Sequence, residues 1–482
     1  MAALPAESFI GYNPFLVRNA YECFDTFSDL SNKEFLRRAM LRRGMIFHKG
    51  ERLTQVYRLG ELATCENAFW VEDPGLRIHF RLPGDSDPSD EGWEITTREQ
   101  VFAPHRFGLG FIRISGIHFA HAADGLPVPQ RACVSASRGH HWIVETCRIE
   151  WANAVGLDIG AQHWSASVPE STGRHIIRGN TIRNCGICGI AGALGVHHSL
   201  IEANTIEYIG HQNLERSWEC AGLKFHLAEH CLFRRNVFRH ICHAGGIWLD
   251  CRTVNNRVTN NVFADIETLS GAVYSEVNYY ANMVDHNLIW DIRVPKGESH
   301  ESKNFGSGLH CDSNEKMVAA YNLFGRIEGG AAMFSLIQGH RKIDGRTGLC
   351  RSNSALNNIF YRCNLRVHLG RREENLSDGN LFHAANDDCS FQIAYPEPGC
   401  HQNLVSWQEY FGLDTHSTQA RLEFEFNVET LVLKWNVQGD VPECQSVAGL
   451  TPLAKDVPGP LKTKPWDQSL TGETGRQRFP MN

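Results

Sequence analysis

The chain has 482 residues, of which 42% are hydrophobic and 21% charged, so a disordered or collagen-like chain is excluded. Its 47 basic and 54 acidic side chains give a net charge of −7 without any basic run, which argues against nucleic acid as a partner. No stretch reaches the roughly 18 apolar residues that a membrane helix needs, so no membrane association is predicted.

The first residues lack the charged and then apolar regions of a secretion signal. The 16 cysteines are scattered, and Cys185 and Cys188 form the only pair with CxxC spacing. We therefore expect reduced thiols and a cytoplasmic location.

Two kinds of segment precede the repetitive part of the chain. Residues 1–44 form an N-terminal segment with one helix, predicted over 32–44, where Asn32 can cap the first turn and Gly44 can end the last. Residues 45–105 combine short strands with a loop rich in Pro, Asp and Gly, which predicts a small β-rich module.

An asparagine followed two positions later by Ile or Phe recurs along the middle of the chain. The eight copies are Asn180, Asn204, Asn236, Asn261, Asn287, Asn322, Asn358 and Asn380. Successive gaps are 24, 32, 25, 26, 35, 36 and 22 residues, which is typical of one short unit that sometimes carries an extra loop. Cys147 is interpreted as an earlier, degenerate copy.

Each unit contains a short Gly-flanked apolar run of alternating character, such as residues 246–250 and 308–312. Runs of this length and pattern are strands, and stacked units of short strands predict an all-β, right-handed parallel β-helix over residues 106–400. The repeated asparagine fits an inward-facing ladder between coils, because each is followed by a large apolar residue; exposed turn asparagines are the less favoured alternative. Residues 401–482 lose the period and are predicted as an irregular tail, within which 420–432 is compatible with two strands.

Aligning the units predicts which side chains are neighbours, since equivalent positions on successive coils lie about 4.8 Å apart. Asp250 lies 14 residues after Asn236 and Glu276 lies 15 after Asn261, so the two carboxylates should stack on adjacent coils. The same face supplies the candidate substrate-binding residues Glu219, Lys224, His226, Trp248, Asn278, His310 and Asp312.

Two carboxyl groups on adjacent coils are expected about 5–6 Å apart, which fits a retaining glycosidase better than an inverting one. Like charges this close separate their pKa values, leaving one ionised nucleophile and one protonated acid. The apolar neighbours Val273 and Val277 suit Glu276 to the acid/base role. An ordinary solvated strand face is the alternative interpretation.

Histidine pairs at 140–141 and 197–198 are poor metal sites, because adjacent residues on a strand point to opposite faces. His226 and His230 have a helical zinc spacing, but their segment is predicted as strand and turn. No metal and no cofactor are predicted.

Several short motifs together resemble the β-helix enzymes of glycoside hydrolase family 120. They cover residues 96–104, 139–145, 151–160, 185–192, 222–226, 246–250 and 274–278. The resemblance implies a retaining β-xylosidase with a parallel β-helix and an inserted β-rich domain. It also implies Asp250 as nucleophile, Glu276 as general acid/base, and Glu219 and Lys224 as substrate-binding residues.

This chain departs from the family pattern in two places. It begins without the first coils and their cap, so we expect either a homo-oligomer in which another chain covers this end, or a truncated N-terminus. Cys251 stands where the family pattern has an aromatic residue, which bears on sugar identity more than on the reaction.

The sequence therefore predicts an exo-acting retaining glycosidase whose partner is a β-xyloside or a similar small glycoside. One alternative is a polysaccharide lyase on the same scaffold, with Lys224 or an arginine as base and calcium held by the acidic cluster. Another is a non-catalytic carbohydrate-binding solenoid.

Overall fold

The computed structural model describes most of the chain. The described residues are 2–4, 6–9, 11–19, 41–73, 75–89, 92–125, 130–163, 166–215, 220–297, 305–337, 341–372, 374–384, 390–395, 400–442, 447 and 474–479. The predicted helix over 32–44 falls largely outside this set. Its last four residues are not helical, and Arg42 instead forms an isolated β-bridge with Arg18.

Three long sheets of stacked parallel strands form the body of the described part, and the predicted parallel β-helix is confirmed. In stacking order, sheet 1 contains Val134–Ser135, Val155–Asp158, Cys188–Gly192, Ala221–His226, Gly245–Asp250, Gly271–Glu276, Ser307–Asp312, Gly330–Ser335, Leu365–Arg371, Phe391–Tyr395 and, antiparallel at its end, Cys400–Gln402. Sheet 2 contains Arg113–Ser115, Ile143–Glu145, Ile176–Arg178, Leu200–Glu202, Leu232–Arg234, Arg257–Thr259, Asn282–Asp285, Met317–Ala320, Ser354–Leu356 and Leu376–Asp378.

Sheet 3 follows sheet 2 within each coil and contains the parallel strands His118–Ala122, Arg148–Ala152, Thr181–Cys185, Thr205–Glu207, Val237–Cys242, Val262–Glu267, Leu288–Arg293, Leu323–Ile327, Ile359–Tyr361 and Leu381–His383. The core lies between the three sheets. There Phe324, Phe360 and Phe382 stack at centroid distances of 5.2 and 5.1 Å, because equivalent positions repeat from coil to coil.

The predicted asparagine ladder runs between sheets 2 and 3. The Oδ1 atom of Asn204 accepts hydrogen bonds from the backbone N and the Nδ2 of Asn180, at 3.0 and 2.9 Å. The same pair of bonds joins each copy to the next as far as Asn380, and all eight side chains are buried. Cys147 takes the first position, donating its backbone N to Asn180 Oδ1 at 2.9 Å. The ladder therefore fixes the register of the coils.

Replacing Asn261 by alanine should lower the midpoint of chemical unfolding strongly. The change removes the acceptor of the backbone N and of one Nδ2 hydrogen of Asn236, and it removes the donor to the carbonyl of Phe233. Each unsatisfied buried group costs about 1–3 kcal/mol, so we expect a total loss of about 3–6 kcal/mol. The exposed neighbour Asn260 has a positive φ of 55°, so Asn260→Gly is a matched control that should shift the midpoint little. Equal shifts for both variants would contradict the ladder's role.

Small sheets occupy the segment predicted as a β-rich module. One contains Ala2–Ala3, Arg77–Arg81, Ala68–Glu72 and Thr54–Gln55, and the other contains Glu51–Arg52, Ile46–His48 and Trp93–Ile95. Short 3-10 helices lie at Ala6–Ser8, Leu59–Ala63 and Pro83–Asp85. The ring of Phe47 lies 4.1 Å from His121 and 5.5 Å from Trp151, so this module packs on the first coils.

The prediction of an irregular tail over 401–482 is wrong for its described residues. The α-helix Leu404–Phe411 begins at the cap Asn403 and ends at Gly412, with Trp407 packed 5.4 Å from Phe391 in the core. The strands Thr418–Asn427, Val432–Gln438 and Thr474–Arg478 form an antiparallel ribbon that extends sheet 3. The 22–26-residue period is lost there because these strands turn back on one another instead of forming coils. No helix in the described residues is long and apolar enough to cross a membrane.

Candidate active site

The strands of sheet 1 bring the predicted residues into two parallel rows on the outer face of the solenoid. Asp250 pairs in register with Glu276 on the next coil, as the repeat predicted. The row continues to His226 on one side and Asp312 on the other. Because paired residues of neighbouring strands lie about 4.8 Å apart, these side chains share one small region.

The second row lies two residues earlier on the same strands, and therefore on the same face. It consists of Lys224, Trp248, Tyr274 and His310. The ammonium of Lys224 lies 3.1 Å from the Trp248 ring centre, and Tyr274 lies 5.1 Å from Trp248 and 4.9 Å from His310. Aromatic surfaces therefore flank the row of carboxylates.

Asp250 is the best-partnered carboxylate of this site. Its Oδ2 lies 2.9 Å from Lys224 Nζ and 3.2 Å from His226 Nδ1, while its Oδ1 accepts a hydrogen bond from Cys251 Sγ at 2.8 Å. Burial raises its pKa, but the charges of Lys224 and His226 and the bonds from Cys251 and Lys224 outweigh burial, so the pKa is held below its usual range. Asp250 is thus kept ionised.

Glu276 has the opposite electrostatic setting. Burial and the neighbouring charges of Asp250 and Asp312 raise its pKa, against the opposing charges of Lys224 and Arg341. Asp250 and Glu276 are each 4% exposed, so water screens these interactions weakly. The pair therefore combines one carboxylate that stays ionised with one that retains its proton to higher pH.

The next coil completes the site. Asp312 accepts hydrogen bonds from Ser313 Oγ and the backbone N of Ile337, both at 2.9 Å. His310 Nε2 lies 2.9 Å from Ser335 Oγ, and burial lowers the pKa of His310 to about 4, so its ring is neutral at pH 7. The buried atoms His310 Nδ1 and Trp248 Nε1 have no hydrogen-bond partner in the part of the chain that the structure describes.

Two of the predicted substrate-binding residues are not part of this cluster as described. Glu219 lies outside the described residues. Asn278 is buried at a turn, where its Nδ2 donates to Ser275 Oγ and the Leu249 carbonyl and its Oδ1 accepts from Thr253 N. Its amide is thus engaged within the core, and its assignment to substrate binding stays a prediction.

Arg341 is a site residue that the sequence reasoning missed. Its Nη1 contacts Glu276 Oε1, and its Nη2 donates to Cys251 Sγ at 3.1 Å. It directly precedes a two-stranded hairpin, Lys342–Ile343 and Arg346–Thr347, called the capping hairpin below. The segment lies within the 36-residue gap between Asn322 and Asn358. This long gap predicts an extra loop but does not predict which of its residues reaches the site.

The carboxylates of the cluster form ion pairs with cationic side chains. Among the described residues, no group of three or more His, Cys, Asp or Glu side chains is arranged to hold a metal ion. The carboxylates are instead met by Lys224, His226 and Arg341.

A family model and one solved structure agree with this fold. Residues 109–324 match the family described as right-handed β-helix region. A solved structure described as the complex of XylC with xylose aligns with a TM-score of 0.64 at 18% identity, covering 90% of this chain and 75% of that one. A structure described as a glycoside hydrolase aligns with a TM-score of 0.41 at 15% identity, covering 62% of this chain and 56% of that one. No curated protein matches the sequence.

The likeness to the XylC structure concerns the fold, since the identity is only 18%. That fold is the right-handed parallel β-helix implied by the resemblance to glycoside hydrolase family 120. The reaction has to be argued from the side chains themselves.

Proposed function

We propose that this protein is a retaining, exo-acting glycosidase that hydrolyses a β-xyloside or a similar small glycoside. The observation that carries the proposal is the in-register pairing of Asp250 with Glu276, whose pKa values are displaced in opposite directions. Retaining glycosidases need two carboxyl groups about 5–5.5 Å apart, one ionised and one protonated.

In the first step, Asp250 Oδ attacks the anomeric carbon while Glu276 gives its proton to the glycosidic oxygen. The bond to the leaving group breaks, the aglycone departs as an alcohol, and the sugar is left as an ester of Asp250. Lys224 and His226 keep Asp250 ionised before the attack.

In the second step, the Glu276 carboxylate takes a proton from water, whose oxygen attacks the same carbon from the opposite face. The ester breaks and both carboxyl groups return to their starting states. Two inversions leave the anomeric configuration unchanged.

The surrounding groups suit a single sugar ring. Trp248 and Tyr274 offer aromatic faces, and the buried Trp248 Nε1 and His310 Nδ1 offer hydrogen-bonding atoms for sugar hydroxyls. The XylC structure of the same fold was described in complex with xylose, which supports a xyloside as the first substrate to test.

The proposal is tested by incubating the protein with aryl β-D-xyloside, α-L-arabinoside, β-D-glucoside and β-D-galactoside while following the first-formed sugar by proton NMR. We expect hydrolysis of the xyloside with the β-anomer appearing first, and no hydrolysis by the Asp250→Asn variant. Initial release of α-xylose from the β-D-xyloside would reject a retaining mechanism. Failure on every glycoside, with unsaturated uronate products from an acidic polysaccharide, would favour the lyase alternative.

A further inference from the structure

Hydrogen bonds and ion pairs hold the capping hairpin against the solenoid beside the carboxylate pair. Tyr279 OH donates to the carbonyl of Arg346 at 2.7 Å, and the Arg346 guanidinium lies 4.7 Å from the Tyr279 ring centre. Arg346 Nη2 lies 2.6 Å from Glu315 Oε2, and Arg252 Nε lies 3.2 Å from Asp344 Oδ2. Glu315 is buried, whereas the Arg346 side chain is 44% exposed, so this ion pair is partly screened and is one of several contacts that hold the hairpin.

Arg341 lies at the start of this hairpin, where it contacts Glu276 directly and Asp250 through Cys251. Its Nη1 meets Glu276 Oε1 directly, and its Nη2 reaches Cys251 Sγ at 3.1 Å. Cys251 in turn donates to Asp250 Oδ1 at 2.8 Å, and burial keeps the Cys251 thiol protonated by raising its pKa. One guanidinium thus contacts Glu276 and, through a thiol, Asp250.

The charges around Glu276 show what this contact does. The titratable and charged groups that face it are Asp250, Asp312, Lys224, His226, Tyr274, His310, Cys251 and Arg341. Asp250 and Asp312 disfavour ionisation of Glu276, whereas Lys224 and Arg341 favour it. Since Lys224 forms its ion pair with Asp250 at 2.9 Å, Arg341 is the cation that the structure places directly against Glu276.

We propose that Arg341 is a positioning residue for Glu276, holding its carboxylate in place after Glu276 has given its proton to the leaving group. The inference rests on the proposed glycosidase function and deepens it. When the aglycone departs, the proton leaves Glu276 and the charge of Asp250 disappears into the ester. The ionised Glu276 then needs a counter-charge until it takes a proton from water, and Arg341 supplies that charge from outside the carboxylate row.

The matched variants are Arg341→Gln, Arg341→Lys and Arg346→Gln. Arg341→Gln removes the charge beside Glu276 and leaves Lys224 to oppose Asp250 and Asp312, so ionisation of Glu276 should become harder. An opposite charge within about 4–6 Å lowers a carboxyl pKa by about 1–3 units, so the basic limb of kcat/KM should move up by at least about one pH unit. Arg341→Lys should restore the wild-type limb in part. Arg346→Gln loosens the same hairpin but leaves Glu315 its contact with Arg351 at 3.1 Å.

Two readouts separate this inference from the proposed function. The first is the pH profile of kcat/KM on a glycoside whose poor leaving group needs the proton of Glu276. The second is the pH titration of the Glu276 carboxyl carbon by NMR of protein labelled with ¹³C-glutamate, assigned by the signal that Glu276→Gln removes. The titration needs no turnover, so it reports on Arg341 even if no glycoside is hydrolysed.

We expect the midpoint of the Glu276 pH titration to rise in Arg341→Gln and to stay at the wild-type value in Arg346→Gln. An unchanged midpoint in Arg341→Gln would overturn the inference. So would an equal rise in Arg346→Gln, since the effect would then come from displacement of the hairpin rather than from the Arg341 charge. A raised midpoint in a protein that hydrolyses no glycoside would instead reject the proposed function alone.

Discussion

Replacing Asp250 by asparagine should abolish detectable hydrolysis while leaving the solenoid folded. The amide cannot form the glycosyl ester, and loss of a nucleophile from a preorganised site lowers kcat by roughly four to six orders of magnitude. Asparagine keeps the volume of the side chain, so the packing beside Trp248 and Cys251 is retained. Steady-state kinetics on an aryl xyloside measures the loss.

The control for this prediction concerns Lys224, whose ion pair with Asp250 is lost in Asp250→Asn. Removing one member of a buried ion pair costs about 3–5 kcal/mol, so the variant should unfold at a lower temperature. The double variant Asp250→Asn with Lys224→Met should recover part of that stability and remain inactive.

An activated 2-fluoro glycoside should also label Asp250 in the wild-type protein, as read by mass spectrometry of its peptides. A kcat above a tenth of the wild-type value in Asp250→Asn would reject Asp250 as the nucleophile.

Replacing Glu276 by glutamine should slow hydrolysis in proportion to how poor the leaving group is. The amide cannot supply a proton, and general acid–base catalysis contributes roughly 10²–10⁴-fold, so an unactivated disaccharide should lose that factor in kcat/KM. A dinitrophenyl glycoside needs little protonation and should form the ester almost normally. Azide, which needs no general base, should restore turnover of the activated substrate and yield a β-glycosyl azide.

Glu267→Gln is a matched control, because Glu267 lies on sheet 3 in a contact with Arg293 and outside the carboxylate pair. Its kinetics should match the wild type for both leaving groups. Equal losses for good and poor leaving groups in Glu276→Gln, with no response to azide, would reject the acid/base role. The pH profile adds a further check, since the basic limb of the wild-type enzyme should be absent from the azide reaction of Glu276→Gln.

The register of this site was predictable because the asparagine ladder repeats. Each ladder residue is fixed to the next by its side chain, so counting from Asn236 and Asn261 places Asp250 and Glu276 on equivalent strands of adjacent coils. The strands that follow the ladder have equal lengths in these coils, and the turn after the second is one residue longer, which is why the offset is 14 residues for Asp250 and 15 for Glu276.

Non-repeating parts of the chain were harder to predict. Arg341 comes from a loop with no counterpart in neighbouring coils, so no alignment of units could place it. Asn278 follows the site strand, and it belongs to a second set of turn asparagines. Its backbone N donates to Asn314 Oδ1 at 2.7 Å, and the spacing of 36 residues equals that from Asn322 to Asn358.

The C-terminal ribbon was also hard to predict, because its strands do not follow the repeat of the coils. Thr418–Asn427 has alternating buried and exposed residues, as an amphipathic strand should, but the search for a coil period passes over it. Its first residues pair with Leu381–His383, so the ribbon covers the last parallel edge of sheet 3. Covered edges are protected from pairing with other chains.

The in-register stacking of sheet 1 has a consequence for stereochemistry on such scaffolds. Neighbouring coils give a step of about 4.8 Å, close to the separation of a retaining pair, whereas a two-coil step of about 9.6 Å is close to the upper limit of an inverting pair. Asp250 has an acid at each step, Glu276 one coil away and Asp312 two coils away. Because the separation changes only in steps of one coil, the anomeric configuration is kept or reversed according to which coil, one or two away from Asp250, holds the protonated acid.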